Sequence, residues 1–209
     1  MRRAVFLDRD GVLNQTVLRD RRAVSPRALG EFHVLPGARE AVEALQQAGL
    51  LVVVVTNQPD VARGTLARVE LERMHARLLR RVPIDAIYTC PHDDRDACAC
   101  RKPKPGLLEQ ASRAWNVTLA ESFLVGDSWK DVAAGKAAGC TTILVAPAAA
   151  LPCEVEPDFV ARDLPAAAAL ILEQLGKRRP SAARQYASAG SRQRAAARVF
   201  SRPGGPALK

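Results

Sequence analysis

Four short apolar runs in this chain each stop on a polar motif able to carry chemistry. Ala4–Leu7 runs into Asp8-Arg9-Asp10-Gly11, and Leu50–Val55 into Thr56-Asn57-Gln58. Ala86–Tyr88 runs into a cysteine-rich loop from Cys90 to Lys104, and Ser122–Val125 into Gly126-Asp127-Ser128-Trp129-Lys130-Asp131. Between and after these runs lie stretches with apolar residues at helical spacing: Pro36–Ala48, Leu66–Arg80, Pro105–Ala114, Trp129–Ala138 and the Ala-rich Leu164–Leu175. Thr141–Val145 and Phe159–Val160 are further strand candidates. This β-α-β-α rhythm predicts an α/β domain with a doubly wound parallel sheet and helices on both faces. Ligands bind such sheets beyond the carboxyl ends of the strands, so the four motifs are expected to meet at one edge. The gap from Asp10 to Pro36 is short, which argues against a large inserted cap domain.

The residue types in these motifs suit phosphate chemistry. Asp8 and Asp10 are two apart on an extended strand end, so both can face one way while Arg9 points elsewhere. Gly11 then lets the chain turn away and leaves room for a ligand. Two carboxylates this close repel unless a cation or a shared proton intervenes. Mg²⁺ suits oxygen ligands of this kind and can also hold a phosphate oxygen; Asp127 offers a further carboxylate. A surface acidic turn is the bland alternative for the first pair alone. Thr56, with nearby backbone amides, can hold phosphoryl oxygens, although Thr-Asn also serves as a simple cap. Lys102 brings positive charge. Asp131, on the first turn of a helix, can orient Lys102 or a metal-bound water, or simply favour the helix N-terminus.

Cys90, His92, Cys98 and Cys100 place four soft or borderline donors within eleven residues. Three thiolates and an imidazole form the closed tetrahedral set of a structural zinc site, with no position left for a reacting water. Asp93, Asp94 and Asp96 are expected to be solvated rather than to bind the ion. The last ligand precedes Arg101 and Lys102 directly, so the metal is expected to aim both at the phosphate site. An odd count of five cysteines, without a signal-peptide pattern, argues against a disulfide framework.

Charge divides the chain in two. Of 31 basic residues, nine lie from Gly176 to Lys209, where there is no acidic residue, leaving 22 basic against 22 acidic in the body. The body, 1–175, reads as the folded domain and 176–209 as a basic, disordered tail. A nucleic-acid arm is the alternative reading of that tail. No apolar run approaches the roughly 18–20 residues that span a bilayer, and the expected location is the cytoplasm. The sequence does not fix the oligomeric state.

Taken in order, the DxD at Asp8 and Asp10, Thr56, Lys102 and the GDxxxD from Gly126 to Asp131 resemble the four motifs of the haloacid dehalogenase superfamily of phosphohydrolases. The resemblance spans about Ala4 to Val145 and implies a Rossmann-like phosphatase fold. It implies that Asp8 is the nucleophile that forms an aspartyl-phosphate, with Asp10 as the acid and base. Thr56 would position the phosphoryl group, and Lys102 and a Mg²⁺ on Asp8, Asp10 and Asp127 would offset its charge. The zinc loop is similar to that of the branch holding heptose bisphosphate and histidinol-phosphate phosphatases. Thr56–Gly64 is similar to a TNQSGIARG segment of the heptose enzymes, with Pro59-Asp60 in place of Ser-Gly. The implied substrate is a small phosphorylated sugar, touched by Asn57, Gln58, Arg63 and Arg101, the two arginines serving a phosphate that is not cleaved. Histidinol phosphate and a nucleic-acid 3′-phosphate are competing substrates. A non-enzymatic zinc-ribbon module would explain the cysteines and the tail but would leave Asp8, Asp10, Asp127 and Asp131 without a purpose.

Overall fold

A computed structural model of the chain describes residues 2–146, 155–178 and 198–201. Its centre is strand β1, Ala4–Leu7, whose four residues are all buried. After it come a small antiparallel hairpin of β2, Val17–Arg19, and β3, Arg22–Val24, then helix α1, Ala38–Gln47, and β4, Leu51–Asn57. Helix α2 is Arg68–Arg81, β5 is Ala86–Cys90 and α3 is Gly106–Trp115. The remaining elements are β6 (Phe123–Gly126), α4 (Trp129–Ala138), β7 (Thr141–Val145), β8 (Phe159–Ala161), α5 (Leu164–Arg178) and β9 (Arg198–Ser201).

The main sheet has the order β8-β7-β6-β1-β4-β5-β9 and every pairing in it is parallel. Its central strands β1, β4, β5 and β6 are largely apolar on both faces because both faces are covered. Val5 and Leu7 of β1 pack with Val52 and Val54 against α1, α2 and α5. Ala4 and Phe6 pack with Leu51, Val53 and Val55 against α3 and Ala134 of α4. The doubly wound sheet expected from the alternating pattern is therefore present. The strand order reverses at β1: β4 lies on one side and β6 on the other, and Leu7 pairs with Val54 and with Val125. The first residues beyond β1 and β6 consequently share one level at the carboxyl edge.

Three details differ from the sequence reading. Thr16–Arg27 holds the β2–β3 hairpin, whose turn needs left-handed backbone at Asp20 and Arg21; neither residue is the Asn or Gly that signals such a turn. This hairpin is far smaller than a cap domain. The composition break at 175 falls inside a helix, since α5 continues to Arg178. Arg198–Ser201, assigned to the disordered tail, instead extends the sheet along β5. The other tail residues, 179–197 and 202–209, lie outside the described residues.

Candidate active site and metal centre

The site begins where β1 ends. The Asp8 amide donates to Val125 O at 2.9 Å, which ties the DxD turn to β6. Gly11 has φ +80°, and a Cβ there would lie 2.0 Å from Oδ2 of Asp127. A Cβ on Gly126 would lie 2.2 Å from Cγ of Asp131. Gly11 is thus required so that the two acidic motifs can close on each other, and Gly126 so that Asp131 can lie over the end of its own strand. The result is a group of carboxylates, Asp8, Asp127 and Asp131, whose oxygens lie within 4.8 Å of one another.

Lys102 reaches into this group from the far side of the sheet edge. Its ammonium donates to Asp8 Oδ1 at 2.8 Å, to Asp131 Oδ1 at 2.5 Å and to Val55 O at 2.9 Å, which uses all three of its hydrogens. Lys102 is 3% exposed. Burial opposes its charge, but Asp131 and Asp8 outweigh that and hold its pKa above the ordinary lysine range. Asn57 clamps the Lys102 peptide from both sides, accepting from Lys102 N at 3.1 Å and donating to Lys102 O at 3.0 Å. Asp131 also receives the Ser128 amide and hydroxyl at 3.2 and 2.7 Å, the capping box that starts α4. Asp131 thus bonds both to Lys102 and to the first turn of α4.

One lysine does not neutralise three carboxylates. Asp8 is pushed up to about 7, by burial first and then by Asp131 and Asp10, against the pull of Lys102. Asp127 keeps an exposed side chain, yet the protein packed around it and the charges of Asp8 and Asp131 push its carboxyl up. Asp127 has no hydrogen-bonded partner among the described residues. Hard oxygen donors with an unmet negative charge are what a divalent cation such as Mg²⁺ binds, so this donor set fits the ion.

Asp10 stands apart from that group. Its Oδ1 accepts from Arg9 and from Asn14 Nδ2, each at 2.8 Å, and its Oδ2 accepts from Gln58 Nε2 at 2.8 Å and Ser25 Oγ at 2.9 Å. Its carboxylate, expected to share the cation, lies outside the group gathered within 4.8 Å, which includes Asp131 instead, itself bonded through both oxygens to Lys102 and Ser128. Burial would raise the Asp10 pKa, but the Arg9 charge and the bonds from Asn14, Arg9 and Gln58 outweigh it and hold the group below the usual range. Arg9, expected to point away, is wholly buried and grips Asp10 instead. Its other side meets the Phe32 ring and, at 3.2 Å, His75 Nε2. Burial and then Arg9 push His75 down to about 3. A neutral ring that accepts at Nε2 carries its proton on Nδ1, because guanidinium can only donate.

The expected substrate contacts divide. Arg63, Arg101 and Asn57 line a cleft of about 380 Å³ together with Asp8, Asp10, Lys102 and Asp127. Gln58 does not; it is wholly buried and donates to Asp10 and to Thr56 Oγ1. Thr56, expected at the phosphoryl group, is 1% exposed, does not line the cleft and accepts from Gln58 at Oγ1. Arg27, Ser25 and Lys130 also line the cleft, and no local pattern in the sequence marks the first two, because the hairpin brings them in.

The second cluster is compact. Cys90, His92, Cys98 and Cys100 have donor atoms within 4.8 Å of one another. Cys90 Sγ lies 3.7 Å from Cys98 Sγ and from His92 Nδ1; Cys100 Sγ lies 3.3 Å from Cys90 Sγ and His92 Nδ1, and 3.5 Å from Cys98 Sγ. A tetrahedron with metal–sulfur bonds of about 2.3 Å has edges of about 3.7 Å, so these donors fit a zinc ion. The loop is bonded to the first site: Cys90 O accepts the Gln58 amide at 2.7 Å and Pro91 O the Ala62 amide at 3.2 Å. Its aspartates are more than solvated. Asp93 caps the turn at 94–96 and pairs with Arg63, and Asp94 pairs with Arg101.

Comparison with known proteins adds independent information. The sequence model of the haloacid dehalogenase-like hydrolases matches residues 3–139. The D-glycero-beta-D-manno-heptose-1,7-bisphosphate 7-phosphatase of Bordetella bronchiseptica is 41% identical over 146 residues, 68% of this chain and 79% of that protein. The enzyme of the same name from Pseudomonas aeruginosa is 41% identical over 149 residues, 69% of this chain and 81% of its own. A crystal structure of the D,D-heptose 1,7-bisphosphate phosphatase of B. bronchiseptica with magnesium and phosphate superposes with a TM-score of 0.69 at 36% identity, covering 82% of this chain and 99% of that one.

Proposed function

From the premise that this chain belongs to the haloacid dehalogenase-like hydrolases, we propose that it is a Mg²⁺-dependent phosphatase that removes the 7-phosphate of D-glycero-D-manno-heptose 1,7-bisphosphate through an aspartyl-phosphate on Asp8. The observation that carries the chemistry is the arrangement of Asp8, 2.8 Å from a buried lysine, with Asp127 within 4.8 Å of it. The names of the relatives carry the sugar.

Asp8 and Asp127, with Asp131 behind them, would hold the magnesium. Bound there, the ion would offset charge on the phosphoryl oxygens and keep Asp8 ionised. Asp8 attacks phosphorus, the bond to the sugar oxygen breaks, and that oxygen takes a proton from Asp10. Water then gives a proton to Asp10 and attacks phosphorus, releasing phosphate and restoring the Asp8 carboxylate. Asp10 must be protonated for the first step, yet Arg9 keeps it ionised at rest. A phosphate dianion beside Asp10 opposes Arg9 and raises its pKa, so substrate arrival readies the acid. Lys102 stabilises charge without giving up a proton, since its pKa lies far above neutrality. Thr56, buried beneath the cleft, is read as a brace for Gln58 and through it for Asp10.

The zinc loop is read as structural: Cys90 O fixes Gln58, which holds Asp10, and Cys100 leads directly to Arg101 and Lys102. The folded catalytic unit is read as the body up to the end of α5 together with β9, acting on a small sugar in the cytoplasm. A substrate panel with Mg²⁺ tests this: heptose bisphosphate anomers, histidinol phosphate, other sugar phosphates and a 3′-phosphorylated oligonucleotide. Turnover of the oligonucleotide in preference to every sugar would overturn the substrate.

A further inference from the structure

A sugar with two phosphates needs cations for the one that is not cleaved, and the cleft offers Arg27, Arg63, Arg101 and Lys130. Three of these four are already held by carboxylates. Arg101 Nε lies 2.6 Å from Asp94, and Arg63 makes a fork to Asp93 at 2.6 and 2.9 Å. Arg27 Nε lies 2.6 Å from Asp60 Oδ2, while Asp60 Oδ1 faces Arg63 Nη1 at 3.6 Å.

Asp60 differs from the other two acids. Among the three it alone lines the cleft. Its side chain is 8% exposed, against 71% for Asp94, so solvent screens its charge far less. Its backbone is fixed as well, since Asp60 O accepts the amides of Thr65 and Leu66 at 2.9 and 3.0 Å. Arg27 arrives from the far end of the hairpin segment, so one carboxylate pins two arginines from separate parts of the chain at the place a second phosphate would occupy.

We propose that Asp60 sets how strongly the cleft prefers a substrate carrying a second phosphate, a proposal that rests on the sugar-phosphate reading above. Its carboxylate repels an incoming dianion and competes with it for Arg27 and Arg63, so the chain discriminates only weakly between a bisphosphate and a monophosphate of the same sugar. A unit charge about 6 Å from a dianion, even at the dielectric of water, amounts to about a tenfold effect on binding.

The test compares the unmodified chain with Asp60→Asn and Asp60→Gly. With heptose 1,7-bisphosphate and heptose 7-phosphate as substrates, the ratio of their kcat/KM values is expected to rise about tenfold in Asp60→Asn. A residue with a merely structural role would lower both values together, and an unchanged or reduced ratio overturns the proposal. A second arm measures inhibition of 4-nitrophenyl phosphate hydrolysis by fructose 1,6-bisphosphate and by fructose 6-phosphate. The bisphosphate is expected to gain selectively in both variants; equal inhibition changes for the two sugars overturn the proposal. If neither heptose compound is turned over while the second arm shows the selective gain, the substrate reading falls and the role of Asp60 stands.

Discussion

Lys102 Nζ lies 2.8 Å from Asp8 Oδ1 although 94 positions separate them in the chain. The contact ties the loop that follows the cysteine cluster to the end of the central strand. Much of what the site can do depends on it, because it sets the charge that Asp8 and Asp131 experience.

Replacing Lys102 by Met should damage both stability and turnover. Asp8 and Asp131 would be left facing each other without compensation, and breaking a buried pair in this way costs about 3–5 kcal/mol. Urea denaturation read by circular dichroism checks the stability, and turnover with saturating Mg²⁺ checks the activity. A variant as stable and active as the parent would contradict the pairing.

Asp8→Asn should remove turnover by about 10⁴-fold or more on any substrate that works, because it takes away the carboxylate read as the nucleophile. The circular dichroism spectrum should be unchanged. Retained activity would sink the nucleophile assignment.

Asn57→Ala should act on kcat more than on KM. The Asn57 side chain holds the Lys102 peptide at 3.0 and 3.1 Å, and loosening a charged group by about 1 Å can lower the rate by about 10²-fold. A rise in KM at unchanged kcat would instead make Asn57 a substrate contact, as its place in the cleft wall also allows.

Magnesium binding should be proton-linked. Asp8 is pushed up to about 7 and Asp127 is raised as well, so the metal-free fold keeps protons that the ion must displace. In the unfolded chain both would already be ionised above about pH 4. These two groups therefore lower the stability of the metal-free protein as pH rises from there through about 7. Apparent Mg²⁺ affinity, and the Tm gain from a fixed Mg²⁺ concentration, should rise between pH 6 and 8. Calorimetric titration in two buffers of different ionisation enthalpy reads the proton release, and none at pH 7 would place the ion elsewhere.

Cys98→Ser should lower zinc content from about one per chain and reduce turnover by loosening the loop before Lys102. Elemental analysis and Tm measured together check this. A zinc-free protein with full activity and the parent's Tm would refute the coupling.

The amino-acid sequence by itself determined the parallel sheet, the convergence of four motifs on its carboxyl edge, the Cys90–Cys100 donor set and the nearness of Asp8 to Asp127. These follow from local rules: apolar runs of strand length, helical periodicity between them, and donor types at fixed spacing. Tertiary structure alone decided how the polar groups divide their partners. Asp10 belongs to Arg9, Asn14, Gln58 and Ser25 rather than to the cation cluster, and Gln58 and Asn57 act as braces. Asp60 gathers Arg27 and Arg63, and Arg198–Ser201 joins the sheet. The reason is physical: a carboxylate takes whichever donors the fold brings within about 3 Å, and those donors come from segments tens of residues apart, where no local pattern records the meeting.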